Sequence, residues 1–155
     1  MHILKYIFSF ILLTLFISCK PAGPLTADEA LTQFQGYYKN IDTYNLMKIL
    51  PQEDKVKLES TLILVNEMNT KTRNAFAENY NLNPDRIKNL TTEEYLYVII
   101  KVIKENDPEL FTKITDSKIL SMNETKNSAE ITLTSKIKIS LKKTGPYWKV
   151  HLPGI

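Results

Sequence analysis

Few residues in this chain are of the types that perform chemistry at neutral pH. The 155-residue sequence holds one cysteine, Cys19, and two histidines, His2 and His151. That set is too small for a zinc site built from several cysteines, and it offers a transition metal few ligands. No glycine-rich phosphate loop and no Gly-x-Ser-x-Gly elbow occurs. The sequence therefore predicts no catalytic residue, no metal and no cofactor.

Glu93 and Glu94 form a carboxylate pair of a kind that could perform acid–base chemistry. Adjacent residues of a helix do not face each other, and the positive end of a helix dipole favours both charges. We interpret the pair as residues that start a helix.

The N-terminal 18 residues have the pattern of a signal peptide. Lys5 precedes a 12-residue apolar run, Tyr6–Ile17. A helix of that length spans about 18 Å, whereas a bilayer core needs about 30 Å. The run therefore predicts a secretory signal and not a membrane span.

Cys19 stands directly after this run, in the segment Phe16-Ile17-Ser18-Cys19. This segment resembles a bacterial lipobox, with Phe16 in place of the usual Leu, Val or Ile, of the relaxed kind found in spirochaetes and some other double-membrane bacteria. The resemblance implies a diacylglycerol thioether on Cys19, cleavage before it and acylation of the new amine. Two or three acyl chains would anchor the protein stably in a membrane. Lys20 follows in place of the aspartate that commonly retains lipoproteins in the inner membrane, which favours the outer membrane, on its periplasmic face or at the cell surface.

The rest of the chain has the composition of one globular domain. Apolar residues make up 43% and charged residues 24%, and the net charge is +3. These fractions exclude a disordered or collagen-like chain. We predict a signal peptide over 1–18, a lipidated cysteine and tether over 19–25, and a single α+β domain over 26–155. The small net charge and the predicted export argue against nucleic acid as a partner.

Helical periodicity dominates the first part of this domain. Thr26 with Glu29 and Thr91 with Glu94 have capping-box spacing, and Asp42 is a candidate N-cap. Further helices are predicted over 52–80, with a break within 66–74, and from Asp107-Pro108 onward. The helix after Thr91 is predicted to bury Tyr95, Leu96, Ile99, Val102 and Ile103.

The last 37 residues change to a period of two. Alternation from Ala129 to Leu141 predicts one long strand, bent near Ser135. Two hairpins flank it. Pairing Glu124 with Ala129 makes Leu120 meet Leu133, and pairing Lys142 with Tyr147 makes Leu141 meet Trp148. Both registers bury the same face, so we predict an antiparallel meander of about three strands.

This order of elements resembles the cystatin-like, nuclear transport factor 2-like superfamily. The matching residues are Thr26 to Ala30 with Phe34 and Tyr38 in the first helix, Asp42 and Leu46 around the second, and the strands from Ala129 and from Tyr147 to Val150. The resemblance implies N-terminal helices packed on one face of a bent sheet, with a cone-shaped pocket between them.

Two candidate sites follow. If the cone is open, its lining would include Tyr38, Tyr95 and Trp148; the alternative is that these rings are simply core. The polar sheet face is a candidate anion-binding surface, carrying Lys136, Lys138, Lys142, Lys149 and His151; the alternative is an ordinary solvated face. We interpret His151 as a solvated surface residue beside Lys138.

The sequence thus favours a non-enzymatic, lipid-anchored protein of the bacterial envelope. It would bind a small apolar ligand or another envelope protein. One alternative is a surface-exposed lipoprotein that contacts host or matrix molecules. The other is an enzyme of the isomerase or dehydratase kind, which would need a buried Asp or Glu facing the cone.

Overall fold

The computed structural model describes residues 23–80 and 82–154. The predicted signal peptide, Cys19 and residues 20–22 lie outside this part of the chain. Within it, helices come first and an antiparallel sheet follows, which confirms the predicted α+β class. The helices are α1 Ala27–Asn40, α2 Thr43–Ile49, α3 Gln52–Glu67, α4 Thr70–Asn79, α5 Pro84–Ile87, α6 Thr92–Asn106 and α7 Pro108–Thr115. The strands are β1 Ile119–Glu124, β2 Ser128–Leu133, β3 Lys138–Thr144 and β4 Tyr147–Val150.

Side-chain caps start the helices where the sequence places them. Thr91 and Glu94 form the complete capping box predicted for α6. At α1 only half of the predicted box forms. Thr26 Oγ1 accepts the Glu29 N–H, but the Glu29 carboxylate accepts the N–H of Leu25 at 2.9 Å. The Asp42 carboxylate caps α2 by accepting the Asn45 N–H at 3.2 Å.

The predicted interruption of the long helical segment is confirmed. α3 ends at Glu67, and α4 starts after Asn69, whose side chain accepts the Thr72 N–H at 2.9 Å. An asparagine at the N-cap favours a new helix over continuation of the old one. α5, a single turn that begins at Pro84, is an element that the sequence analysis did not anticipate.

The sheet has four strands in the order β1-β2-β3-β4, so the prediction of one long strand from Ala129 is wrong. The chain reverses between Leu133 and Lys138. Lys136 takes a left-handed φ of 71°, and its N–H bonds to the Leu133 carbonyl at 2.8 Å. The expected bend near Ser135 is therefore a tight hairpin turn.

Two details of the predicted register are also wrong. Leu141 pairs with Val150 and Lys143 with Trp148, a shift of two residues from the expected pairing. Because side chains alternate with a period of two, this shift leaves every apolar side chain on its expected face. Glu124 does pair with Ala129, but an irregularity places Ile119 opposite Leu133 in the position expected for Leu120.

The core lies between this sheet and the helices. α1 and α2 both contact β4. Ala30, Leu31, Phe34 and Leu46 from the helices join one buried cluster with the apolar face of the sheet, which contributes Ala129, Ile131, Leu133, Ile139, Leu141, Trp148 and Val150. Gly23 and Pro24, within the predicted tether, lie beside the sheet, and the Pro24 carbonyl accepts the Trp148 N–H at 3.0 Å.

Candidate functional site

Two of the three residues predicted to line a pocket are core residues. Tyr38 and Trp148 are each 2% exposed. The Tyr38 ring lies 5.4 Å from the ring of Phe34 and 5.7 Å from that of Phe111, measured between centroids. Neither Tyr38 nor Trp148 lines either of the two clefts described below. The alternative interpretation, that these rings pack the interior, fits both of them.

Burial of Tyr38 has a measurable consequence at high pH. It raises the pKa of the phenol from its ordinary value of 10.0 to about 12. The folded state therefore keeps Tyr38 neutral between these pH values while the unfolded chain ionises it. The contribution of the Tyr38 hydroxyl to stability is therefore fully present below pH 10. The free energy of unfolding falls by roughly 2 kcal/mol as the pH rises towards 12.

We expect the free energy of unfolding of the wild-type chain to fall more steeply between pH 10 and pH 12 than that of Tyr38→Phe. Urea denaturation at several pH values measures both slopes. Phenylalanine keeps the ring but has no proton to lose, so the difference between the slopes belongs to this hydroxyl. Parallel slopes would contradict the assignment.

Tyr95 is the third predicted residue, and it does line a cleft. The α4 cleft, as we name it, has a volume of about 150 Å³. α4 and α6 form its walls, with Phe76, Tyr80, Tyr95, Val98, Ile99, Val102 and Ile103. Of the side chains that α6 was predicted to bury, Tyr95 and Leu96 are buried, whereas Ile99, Val102 and Ile103 are only half-buried at the cleft surface.

A second cleft adjoins the first. This α5 cleft has a volume of about 260 Å³ and is lined by Leu82, Asn83, Arg86, Ile87, Leu90, Glu94, Tyr97 and Val98. Val98 belongs to both clefts, so they meet on α6. We call the two together the α6 groove. Apolar side chains form most of its lining, and its polar groups are few, which is the usual composition of a small-molecule site.

Charges at the rim of the α5 cleft are already partnered. The Arg86 guanidinium lies 3.5 Å from the Glu94 carboxylate. Hydrogen bonds from the backbone and side chain of Thr91 hold the pKa of Glu94 below its ordinary value, and Arg86 lowers it further. In the α4 cleft, burial raises the pKa of Tyr95, and the neighbouring Tyr80 adds to the rise. The Tyr95 phenol is therefore neutral at neutral pH.

Arg73 is a buried cation that the sequence analysis missed. It belongs to α4 and is 8% exposed. Its Nη1 donates to the Met68 carbonyl at 3.4 Å, and its Nη2 donates to Thr70 Oγ1 at 3.3 Å. Within residues 23–80 and 82–154 it has no carboxylate partner. Arg73 precedes Phe76 by three residues, a spacing that places both on one face of the helix. Applying the periodicity to charged residues as well would have identified Arg73 as a residue of the inner face.

The predicted anion-binding face is largely engaged within the protein. Lys138 Nζ lies 2.8 Å from the Glu130 carboxylate, and Lys142 pairs with Glu53. Lys149 donates to the Lys48 carbonyl at 2.7 Å; burial lowers its pKa, and nearby Lys55 lowers it further. The remaining lysine, Lys136, is exposed in the β2–β3 turn. An external anion would have to compete with carboxylates for two of these lysines.

His151 is not the solvated residue that the sequence suggested, so that interpretation is wrong. Its Nδ1 lies 3.0 Å from Asp54 Oδ1. Asp54, only 2% exposed, also accepts the Leu152 N–H at 2.8 Å through Oδ2. The carboxylate thus ties the segment after β4 to the first turn of α3. These two contacts make the pair a structural clip.

Wider comparisons add no family to this description. No protein-family model, no curated protein and no solved structure matches the chain. The described residues hold no group of three or more His, Cys, Asp or Glu side chains placed to bind a metal ion. Across the same part of the chain, every helix is too short or too polar to cross a bilayer.

Proposed function

We propose that this protein is a lipid-anchored lipoprotein of the bacterial envelope that binds a small apolar ligand in its α6 groove.

 The protein acts in this proposal as a binding protein and catalyses no reaction. The observation that carries the proposal is the α6 groove, two apolar clefts that meet at Val98. A ligand that covers the half-buried aliphatic side chains of the groove removes their apolar surface from water, and this favours binding.

The lipid anchor in this proposal comes from the lipobox-like segment that ends at Cys19. Only residues 20–22 separate that cysteine from Gly23, where the described chain begins beside β4. Four extended residues reach at most about 14 Å. An acylated Cys19 would therefore hold the β4 side of the domain close to the membrane surface, and we propose the outer membrane as its location.

The finer fold assignment, to the nuclear transport factor 2-like superfamily, also belongs to this proposal. Helices followed by a four-stranded antiparallel meander support it. The proposed ligand site differs from the cone of that superfamily, because Tyr38 and Trp148 pack the space between helices and sheet. The filled interior also favours a binding protein over the isomerase-like alternative.

Native mass spectrometry tests the ligand. The full-length gene carrying Cys19→Ala is expressed in the protein's own host, and the exported chain is purified without detergent. We expect an additional mass of a small apolar compound that co-purifies with the chain. Val102→Gln places an amide in the α4 cleft and should reduce its occupancy about tenfold, because a polar group there lacks a partner.

Leu64→Gln is the matched control for that variant. Leu64 lies on α3, is 64% exposed and lines neither cleft. It should leave the occupancy unchanged. A bound mass that survives in Val102→Gln and in Val98→Phe, which fills the junction of the clefts, would place the ligand elsewhere and refute the α6 groove as its site. Thermal melting of each variant checks that the fold is intact.

A further inference from the structure

Arg73 carries a positive charge whose surroundings are nearly all protein. The residue is 8% exposed, and an arginine side chain does not lose its proton in proteins. Buried charges are normally paired, because taking an ion out of water costs free energy that only a counter-charge and good hydrogen bonds offset. Arg73 has two long hydrogen bonds to neutral oxygen atoms and no carboxylate partner in the described part of the chain.

Its helix places this charge beside the α4 cleft. Phe76 and Tyr80 both line that cleft, and they follow Arg73 by three and seven residues. Residues at these spacings share one face of a helix. Arg73 precedes Phe76 by one turn and lies about 10 Å from Tyr80 along α4, so its charge lies beyond the Phe76 end of the α4 cleft and not in its wall.

Helix capping accounts for only some of the hydrogen-bond donors of the Arg73 guanidinium. The Met68 carbonyl ends α3, where the helix dipole favours a positive charge, and Thr70 belongs to the first turn of α4. These two contacts occupy two of the five N–H donors of an arginine. The planar fork of the remaining donors matches a carboxylate, which accepts two parallel hydrogen bonds.

We propose that the ligand of the α6 groove is an apolar monocarboxylic acid, whose carboxylate pairs with Arg73 while its hydrocarbon part lies between α4 and α6. This inference rests on the proposed function and adds the chemical class of the ligand. The apolar wall provides affinity for the chain of the acid, and the buried guanidinium discriminates against neutral and cationic molecules of the same length.

Three octyl probes separate these contributions: octanoate, octanol and octyltrimethylammonium. Isothermal titration calorimetry at pH 7 uses the exported full-length chain with Cys19→Ala. We expect octanoate to bind at least about tenfold more tightly than octanol, and the cation to bind most weakly. In Arg73→Gln, the affinities for octanoate and octanol should agree within about threefold, with octanol little changed.

Two further variants serve as controls for this result. Arg73→Lys keeps the charge and should keep a reduced preference for octanoate, because an ammonium lacks the bidentate fork. Lys71→Gln removes an exposed charge two residues away and should leave the preference intact. Equal affinities of octanoate and octanol in the parent chain would overturn the acid assignment while leaving an apolar site in place, whatever the stability of the variants.

Other outcomes are equally decisive. If none of the three probes binds, both the α6 groove as a ligand site and the acid assignment fail. If the preference for octanoate persists in a folded Arg73→Gln protein and disappears in Arg86→Gln, the anion belongs to the α5 cleft, and the role of Arg73 is refuted.

Discussion

Cys19→Ala should abolish both fatty-acid labelling and partitioning of the protein into detergent. The thioether of a lipoprotein forms on the cysteine sulfur, and alanine offers no atom for that bond. Two or three acyl chains bind a bilayer stably, whereas the chain without them has no helix within its described residues that spans one. We therefore expect the exported variant to move from the membrane fraction to the soluble fraction. Labelling of cells with radioactive palmitate and phase separation in detergent measure the two effects.

Ser18→Ala is the control for this experiment. It changes the neighbouring residue to one of similar size and keeps the sulfur, so labelling and detergent partitioning should persist. Unchanged labelling of Cys19→Ala would show that the lipobox interpretation is wrong. Extracellular protease on intact cells then separates the two locations. Digestion without lysis would support surface display, and full protection would support the periplasmic face.

The helical part of the fold was predictable because its signals are local. Thr91 and Glu94 stand three residues apart, and that spacing alone specifies a capping box. Asn69 caps the start of α4 directly after α3 ends, because its side chain accepts the Thr72 N–H. Such hydrogen bonds join residues that are close in sequence, so no knowledge of the tertiary structure is needed to anticipate them.

The error in the sheet has a clear physical origin. Ile131 pairs with Ile139, and Ala129 pairs with Leu141. Partners across an antiparallel pair share a face, and all these residues have odd numbers, so the alternation runs without a break through the turn. A period of two cannot distinguish one bent strand from such a hairpin. Three polar residues in a row, Thr134 to Lys136, would have been the better signal, and Lys136 takes the left-handed backbone of that turn.

The candidate site was less predictable than the fold. Periodicity identifies Ile99 and Val102 as an apolar face of α6, but it does not say whether another element covers that face. Their exposure depends on how far α4 lies from α6, a property of the tertiary structure. Arg73 and Asp54 were missed for a related reason, because charged residues are read as solvent-exposed although these two are buried.

Asp54→Ala should destabilise the domain by about 2–4 kcal/mol. The substitution leaves the Leu152 N–H without its acceptor at 2.8 Å and removes the partner of the His151 ring. The methyl group of alanine also leaves unfilled space, since Asp54 is 2% exposed. The segment after β4 would lose its connection to α3. Urea denaturation measures the change, and thermal melting should show a midpoint lower by roughly 5–15 °C.

Glu53→Ala is the matched control, one residue away on the same helix turn. Glu53 is exposed and pairs with Lys142 at the surface, where solvent screens the interaction, so its loss should change stability little. Asp54→Asn gives the finer test, because the amide oxygen still accepts one hydrogen bond while the amide nitrogen cannot. An intermediate loss is expected for it. If Asp54→Ala is no more destabilising than Glu53→Ala, the carboxylate does not secure the end of the chain, and the packing of Leu152 and Val150 alone must do so.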